Sequence, residues 1–131
     1  MSIGAVIVIL VLIILMLFSF RTIMRRRSIP QFHPADLGTS VNDPAFLLLD
    51  VRTHHERNQN HIRGSLHIPL HELLGRLSEL DRYKDRRIIC YCQSGSRSIS
   101  AASLLGKQGF SVANLRGGIA EWNYHHLKRR Q

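Results

Sequence analysis

The sequence RIICYCQSGSRS occupies residues 87–98 and changes character twice along its length. Residues 87–91 are dominated by apolar side chains, which is typical of a short strand buried in a parallel sheet. Small residues around Gly95 then predict a loop, and the segment that follows, rich in Ala, Leu and Ile, predicts a helix. Such a loop lies at the carboxyl edge of the sheet, where ligands bind in this kind of architecture.

The same alternation of strands and helices continues on both sides of this segment. Further strands are predicted at residues 46–49, 65–68 and 111–115, a turn at 34–37, and helical segments at 53–60, 70–80, 98–108 and around Trp122. Trp122 itself is expected to lie in the core. The pattern predicts one α/β domain with a small, mostly parallel central sheet flanked by helices.

The first 27 residues differ from the rest. No residue from Ile3 to Phe20 is charged, and 18 residues of helix extend about 27 Å, close to the roughly 30 Å of a bilayer core. Arginines follow this run at Arg21 and at 25–27, whereas a cleaved signal peptide carries its positive charges before the run. We therefore expect a transmembrane helix with a basic flank at 1–27, a helix break at Ser28-Ile29-Pro30, and a soluble domain at 28–131. The arginines predict a single-pass membrane protein with its domain on the cytoplasmic face.

The chain carries 18 Lys+Arg against 9 Asp+Glu, a formal net charge of +9. Much of the excess lies in the arginine flank and in the tail at 128–130. Next to a membrane, these charges are expected to contact anionic lipid headgroups. No basic stripe is interleaved with aromatic residues, so nucleic acid is not predicted as a partner.

Cys90 and Cys92 are the only cysteines and are separated by one residue. This spacing suits a disulfide poorly and favours a working thiol in a reducing compartment. Cys90 lies within the apolar run and is expected to be buried and inert. Cys92 opens the loop, where inward N–H groups, the following helix N-terminus and Arg97 would lower the pKa of a thiol. The competing interpretation, a small apolar residue at a strand end, does not account for the Gly/Ser-rich loop.

The eight histidines show no metal-ligand spacing. His71-Glu72 falls short of the His-Glu-x-x-His zinc motif because Gly75 occupies the second ligand position. The pairs at 54–55 and 125–126 are adjacent, so their rings are expected to point apart. No metal site is predicted from the sequence.

Four segments in order make residues 34–122 resemble a single-domain rhodanese, a thiosulfate sulfurtransferase-like family. They are LLDVR at 48–52 with Glu56, HIRGS at 61–65 with Ile68-Pro69, YCQSGSRS at 91–98, and LRGG at 115–118 with Trp122. Two positions depart from the family pattern. Arg57 replaces an aromatic residue and is expected to expose its charge. Asn60 replaces a glycine, and we expect the turn to survive because asparagine tolerates positive φ.

The resemblance implies a sulfurtransferase that needs no cofactor and carries sulfur as a persulfide on Cys92. Thiosulfate or a persulfide would donate the sulfur, and a thiol or cyanide would accept it. Arg97 would bind an anionic donor or stabilise charge on the sulfur. Asp50 and Arg52 are expected to form a structural ion pair, with loop orientation as the less favoured role. The predicted substrate-binding residues are Gln93, Ser94, Gly95, Ser96 and Ser98.

Two other functions compete with this one. A cysteine-dependent phosphatase has five residues between its cysteine and arginine, whereas four separate Cys92 from Arg97, and the shorter loop suits a smaller anion than a phosphoryl group. A non-catalytic, membrane-tethered rhodanese module would use the same fold only for binding, but such modules typically lose the cysteine that this chain keeps.

Overall fold

The computed structural model describes residues 1–27, 29–37 and 41–129. Five strands form one parallel sheet in the order β1-β5-β4-β2-β3. The strands are β1 (Gln31–Phe32), β2 (Phe46–Asp50), β3 (Leu66–His67), β4 (Arg87–Tyr91) and β5 (Val112–Leu115). The α-helices are α1 (Ile3–Arg27), α2 (His54–Gln59), α3 (Ser96–Lys107) and α4 (Gly118–Lys128). The predicted α/β class, with a small parallel sheet flanked by helices, is confirmed.

The sheet is covered on both faces, which explains the continuous apolar run in β4. Successive side chains of a strand point to opposite faces. Ile88 and Cys90 therefore pack in one apolar cluster with residues of α3, while Ile89 and Tyr91 pack in the other with residues of α4. All four side chains are fully buried.

Two elements differ from the sequence prediction. The amphipathic segment Leu70–Tyr83 has 3-10 rather than α-helical geometry and is interrupted at Arg76, whose φ is −121°. Strand β1 was not predicted, because two residues carry no periodicity. It adds to the sheet edge by pairing with β5, Gln31 opposite Asn114. The turn at 34–37 is confirmed, with the Asp36 N–H donating to the His33 carbonyl at 3.0 Å.

Helix α1 covers the predicted apolar segment, and its part from Ile3 to Met24 is long and apolar enough to cross a membrane. Length and composition alone support this. The helix ends at Arg27, and Ile29 and Pro30 of the expected helix break are not helical. Ser28 and Arg130 lie outside the described residues, as do the side chains at 25–27.

The expectations for Arg57 and Asn60 are both wrong. The Arg57 side chain is only 19% exposed, because it donates to the Ser65 hydroxyl at 2.6 Å and to the Ser65 carbonyl at 2.8 Å. Asn60 has an extended backbone with φ of −163°. Its side-chain and main-chain oxygens accept hydrogen bonds from the guanidinium of Arg52. Both residues are thus hydrogen-bonded to buried polar groups. The charge of Arg57 does not point into solvent, and Asn60 does not adopt the expected turn conformation.

Gly118, the first residue of α4, lies against the loop that follows β4. Its φ is +61°, and a Cβ there would lie 2.4 Å from the Cys92 carbonyl oxygen and 2.6 Å from that of Gln93. No larger residue fits without moving backbone. Glycine therefore allows α4 to approach the loop closely.

We expect Gly118→Ala to lower the free energy of unfolding by about 2–4 kcal/mol, from overpacking and left-handed backbone strain together. Denaturant unfolding of the detergent-solubilised protein, followed by the fluorescence of Trp122, measures this. Gly75→Ala is the matched control, since a Cβ at Gly75 meets nothing within 4 Å. Equal unfolding midpoints for the two variants would contradict the close approach.

Candidate active site

The loop between β4 and α3 curls around the sulfur of Cys92. The Gly95 N–H donates to Cys92 Sγ at 3.1 Å, and the Ser98 hydroxyl oxygen lies 3.4 Å from it. The backbone N–H groups of Ser94 and Ser98 also act to lower the pKa of this thiol. The Gly95 amide and the Ser98 hydroxyl therefore lie against a single atom at the base of the loop, which is a site for an anion.

Two features give the loop this shape. Gly95, the N-cap of α3, has φ of +107°, a left-handed conformation that favours glycine. On the outer side, the N–H groups of Ile119 and Ala120 donate to the carbonyls of Cys92 and Gln93 at 2.9 and 3.2 Å. The N-terminus of α4 thus fixes the loop carbonyls away from the sulfur.

The two cysteines differ in acidity. Burial opposes ionisation of Cys92, but the hydrogen bonds from Ser98, Gly95 and Ser94 outweigh it, so the pKa of this thiol lies below its ordinary value. Burial raises the pKa of the Cys90 thiol to about 12. Of the two thiols, Cys92 therefore ionises more readily and is the better candidate nucleophile.

Cys92 lies at the base of the loop and is only 1% exposed. The side chains of Gln93, Ser94 and Ser96 are exposed around it. The amides of Ser94 and Gly95 face the sulfur, whereas Gln93 contributes its carbonyl to α4 and Ser96 begins α3. A donor must therefore approach the sulfur over the exposed rim of the loop.

A chain of polar side chains connects the sulfur to β1. The Ser98 hydroxyl donates to Asn114 Oδ1 at 2.5 Å, and Asn114 Nδ2 donates to Gln31 Oε1 at 2.8 Å. The Gly95 carbonyl also lies 3.1 Å from this hydroxyl. A hydroxyl has one proton, so Asn114, the Gly95 carbonyl and an ionised Cys92 compete for that of Ser98. The sequence did not indicate Asn114, although a polar residue in the short apolar strand β5 was an available signal.

Arg97 is held by the carboxylate of Glu56, a residue for which no role was predicted. Its two terminal nitrogens donate to Glu56 at 2.8 and 2.6 Å. This bond chiefly, together with hydrogen bonds from Thr53, lowers the pKa of Glu56 to about 2. Glu56 also forms a capping box with Thr53 at the start of α2. The Thr-x-x-Glu spacing was the signal that could have revealed it.

Asp50 and Arg52 form a fully buried ion pair at the end of β2, with the nearest atoms 2.8 Å apart. Burial opposes ionisation of Asp50, but hydrogen bonds from Arg52 keep its pKa below the ordinary value. The Tyr91 hydroxyl donates to Asp50 at 3.0 Å, which joins the ends of β2 and β4. Arg52 also contacts the Glu56 carbonyl. The pair therefore supports α2, and through Glu56 it supports Arg97.

We expect Ser98→Ala to raise the pKa of Cys92, because a hydrogen bond to the thiolate is lost. Removing a charge-assisted hydrogen bond of about 1.5 kcal/mol lowers the thiolate fraction about tenfold at pH values below the pKa. The pH profile of Cys92 alkylation by iodoacetamide, read by mass spectrometry, reports this shift. Ser100→Ala, exposed on the same helix, is the control. Superimposable profiles for the two variants would show that the hydroxyl does not stabilise the thiolate.

Comparisons with known proteins agree with this geometry. Residues 33–125 match the model of the Rhodanese-like domain family. A sulfurtransferase of Allochromatium vinosum is 45% identical over 82 residues, covering 62% of this chain and 75% of that protein. A putative sulfur carrier protein of Bacillus subtilis is 42% identical over 97 residues, covering 72% of this chain and 51% of that protein. Several curated relatives are longer, and the chain spans 21% to 51% of their length.

A solved structure supports the same assignment. The rhodanese-related protein of Thermoplasma volcanium has a TM-score of 0.65 and 30% identity, over 73% of this chain and 92% of that one. Sequence and overall fold therefore agree. The chain belongs to the rhodanese-like domain family and is a homologue of sulfurtransferases.

Proposed function

We propose that this protein is a sulfurtransferase that carries sulfur as a persulfide on Cys92. The hydrogen bond from the Gly95 amide to Sγ and the contact of the Ser98 hydroxyl with Sγ, together with the lowered pKa of this thiol, carry the proposal. The arrangement stabilises a thiolate before reaction and a terminal persulfide sulfur after it. The similarity to a sulfurtransferase and to a putative sulfur carrier supports the same chemistry.

The reaction has two displacements. In the first, the Cys92 thiolate attacks the outer sulfur of a donor such as thiosulfate. A new S–S bond forms, the S–S bond of thiosulfate breaks, and sulfite leaves with the electron pair. In the second, a thiol or cyanide acceptor attacks the terminal sulfur of the persulfide, and Cys92 leaves as a thiolate. No net oxidant or reductant is needed, because sulfane sulfur passes from one nucleophile to another.

In this proposal, Arg97 lies beside the sulfur but offers an arriving anion less than a full positive charge. Its fork is occupied by Glu56, so an arriving anion meets a neutralised ion pair instead of a free guanidinium. The neighbouring thiolate of Cys92 also helps to raise the pKa of Arg97, after the larger effect of Glu56. The main stabilisation of the sulfur therefore comes from neutral N–H dipoles.

The membrane anchor is part of the same proposal. Residues 1–27 would form a single transmembrane helix, with residues 28–131 as the domain on the cytoplasmic side, next to anionic lipid headgroups. The apolar segment from Ile3 to Met24 and the arginines after it support this topology. A donor or acceptor located at the membrane would then meet the domain at high local concentration.

The full-length protein in detergent micelles should turn over thiosulfate and gain one sulfur atom on Cys92. We expect Cys92→Ala to lower turnover about 10³-fold or more, as removal of a covalent nucleophile does, while Cys90→Ala retains it. Mass spectrometry of the intact protein after donor treatment locates the added sulfur. Equal turnover by the Cys92→Ala variant and the wild type would instead favour the non-catalytic binding module.

Glu56→Gln tests what the charge of Arg97 does. Glutamine preserves the capping box and releases the guanidinium from its carboxylate, so we expect the KM for thiosulfate to fall about 2- to 5-fold, the range of a partly exposed ion pair. The effect should be constant from pH 5 to 8, because the pKa of Glu56 is about 2 and its carboxylate is ionised throughout. Glu72→Gln, which breaks a separate pair with Arg76, is the control. A higher KM in the Glu56 variant would show that the ion pair itself is required.

A further inference from the structure

Three side chains that are far apart in the sequence meet beside α4, outside the Cys92 site. His33 follows β1, and Glu121 and His125 lie one turn apart on α4. The distance from Glu121 Oε1 is 3.2 Å to His33 Nε2 and 3.7 Å to His125 Nε2. One ligand atom from each residue lies within 4.8 Å of the other two. Among the described residues, these three are the histidine, cysteine or acidic side chains that lie close enough together to share one ion.

These distances fit a small divalent ion. Ligand atoms at about 2.1 Å from a tetrahedral zinc lie about 3.4 Å apart, and the two measured separations fall on either side of that value. Two imidazoles and one carboxylate are ligands suited to zinc, nickel or copper, whereas calcium and magnesium favour all-oxygen sites. The three side chains are 37%, 33% and 31% exposed, which leaves room for water as a fourth ligand.

The surrounding structure orients two of the ligands. The Glu121 side chain folds back over Gly117, whose missing Cβ makes room for it. His126 stacks on Trp122 with ring centroids 4.0 Å apart, while the neighbouring His125 turns toward His33, with centroids 5.0 Å apart. The rings of His125 and His126 point apart, as expected for adjacent residues. His125 is therefore available to the cluster.

The His33 ring must change its proton position to bind an ion. The Ala35 N–H donates to Nδ1 at 3.3 Å, so the neutral ring carries its proton on Nε2, facing Glu121. A metal at Nε2 requires the proton on Nδ1 and removes that long hydrogen bond. The loss is small beside the gain of a metal–nitrogen bond.

We propose that His33, Glu121 and His125 bind one zinc ion, or a similar divalent transition metal, with water in the fourth position. The ion joins the segment after β1 to α4. Both elements already contact the reactive loop, β1 through Gln31 and Asn114 and α4 through its backbone N–H groups. The ion has a structural role, and sulfur transfer does not depend on it.

Zinc binding by the untagged full-length protein in detergent micelles, measured by competition with a chromophoric chelator, tests the proposal. All proteins carry Cys92→Ala, which removes the reactive thiolate as a competing ligand. We expect one zinc per chain and an upward shift of the thermal unfolding midpoint with zinc. His33→Ala and Glu121→Gln should each weaken binding at least about tenfold, by analogy with the 10- to 100-fold cost of losing even a supporting partner of a ligand.

His71→Ala is the matched control for surface histidines, because its side chain is 70% exposed and lies outside the cluster. It should leave the zinc affinity unchanged. Trp122 fluorescence in the absence of zinc checks that each variant is folded, and Glu121→Gln keeps the side-chain volume if His33→Ala is unstable. Absence of zinc binding, or equal affinity for the His33→Ala and His71→Ala proteins, would overturn the proposal.

Discussion

The N-terminus of α4 donates two backbone hydrogen bonds to the carbonyls of Cys92 and Gln93, and the shape of the reactive loop depends on them. In a trans peptide, the carbonyl and the following N–H lie in one plane and point in opposite directions. When Ala120 holds the Gln93 carbonyl outward, the Ser94 N–H of the same peptide must turn inward. The anion site is therefore made by two elements, and Gly118 provides the space for them to meet.

This arrangement explains how a buried thiol becomes acidic without a free cation beside it. Desolvation alone would raise the pKa of Cys92, as it does for Cys90. The amides and the Ser98 hydroxyl reverse the shift. Their dipoles are fixed by the backbone and cost little reorganisation when charge appears on the sulfur. Arg97 adds less, since its charge is shared with Glu56.

The parts of the fold that sequence predicted well are those with strong periodicity or a glycine. The apolar runs of β2 and β4 and the loop around Gly95 are such features, and they placed Cys92 correctly. Pairwise contacts were not predictable in the same way. The expectation for Arg57 rested on the family pattern and that for Asn60 on backbone preference, but each residue is hydrogen-bonded to a distant buried group, Ser65 and Arg52 respectively. Strand β1 is defined only by its partner β5, and two residues carry no pattern.

The position of β1 connects the segment after helix α1 to the candidate active site. Gln31 accepts from Asn114, Asn114 accepts from Ser98, and Ser98 contacts the sulfur of Cys92. A change at β1 can therefore reach the reactive thiol through three side chains and without any backbone displacement. An anchorless form of the protein must keep residues from Gln31 onward, because removal of that residue leaves a donor of the largely buried Asn114 without its partner. Strand β1, which follows helix α1 in the chain, is therefore linked by side-chain contacts to the thiol of Cys92.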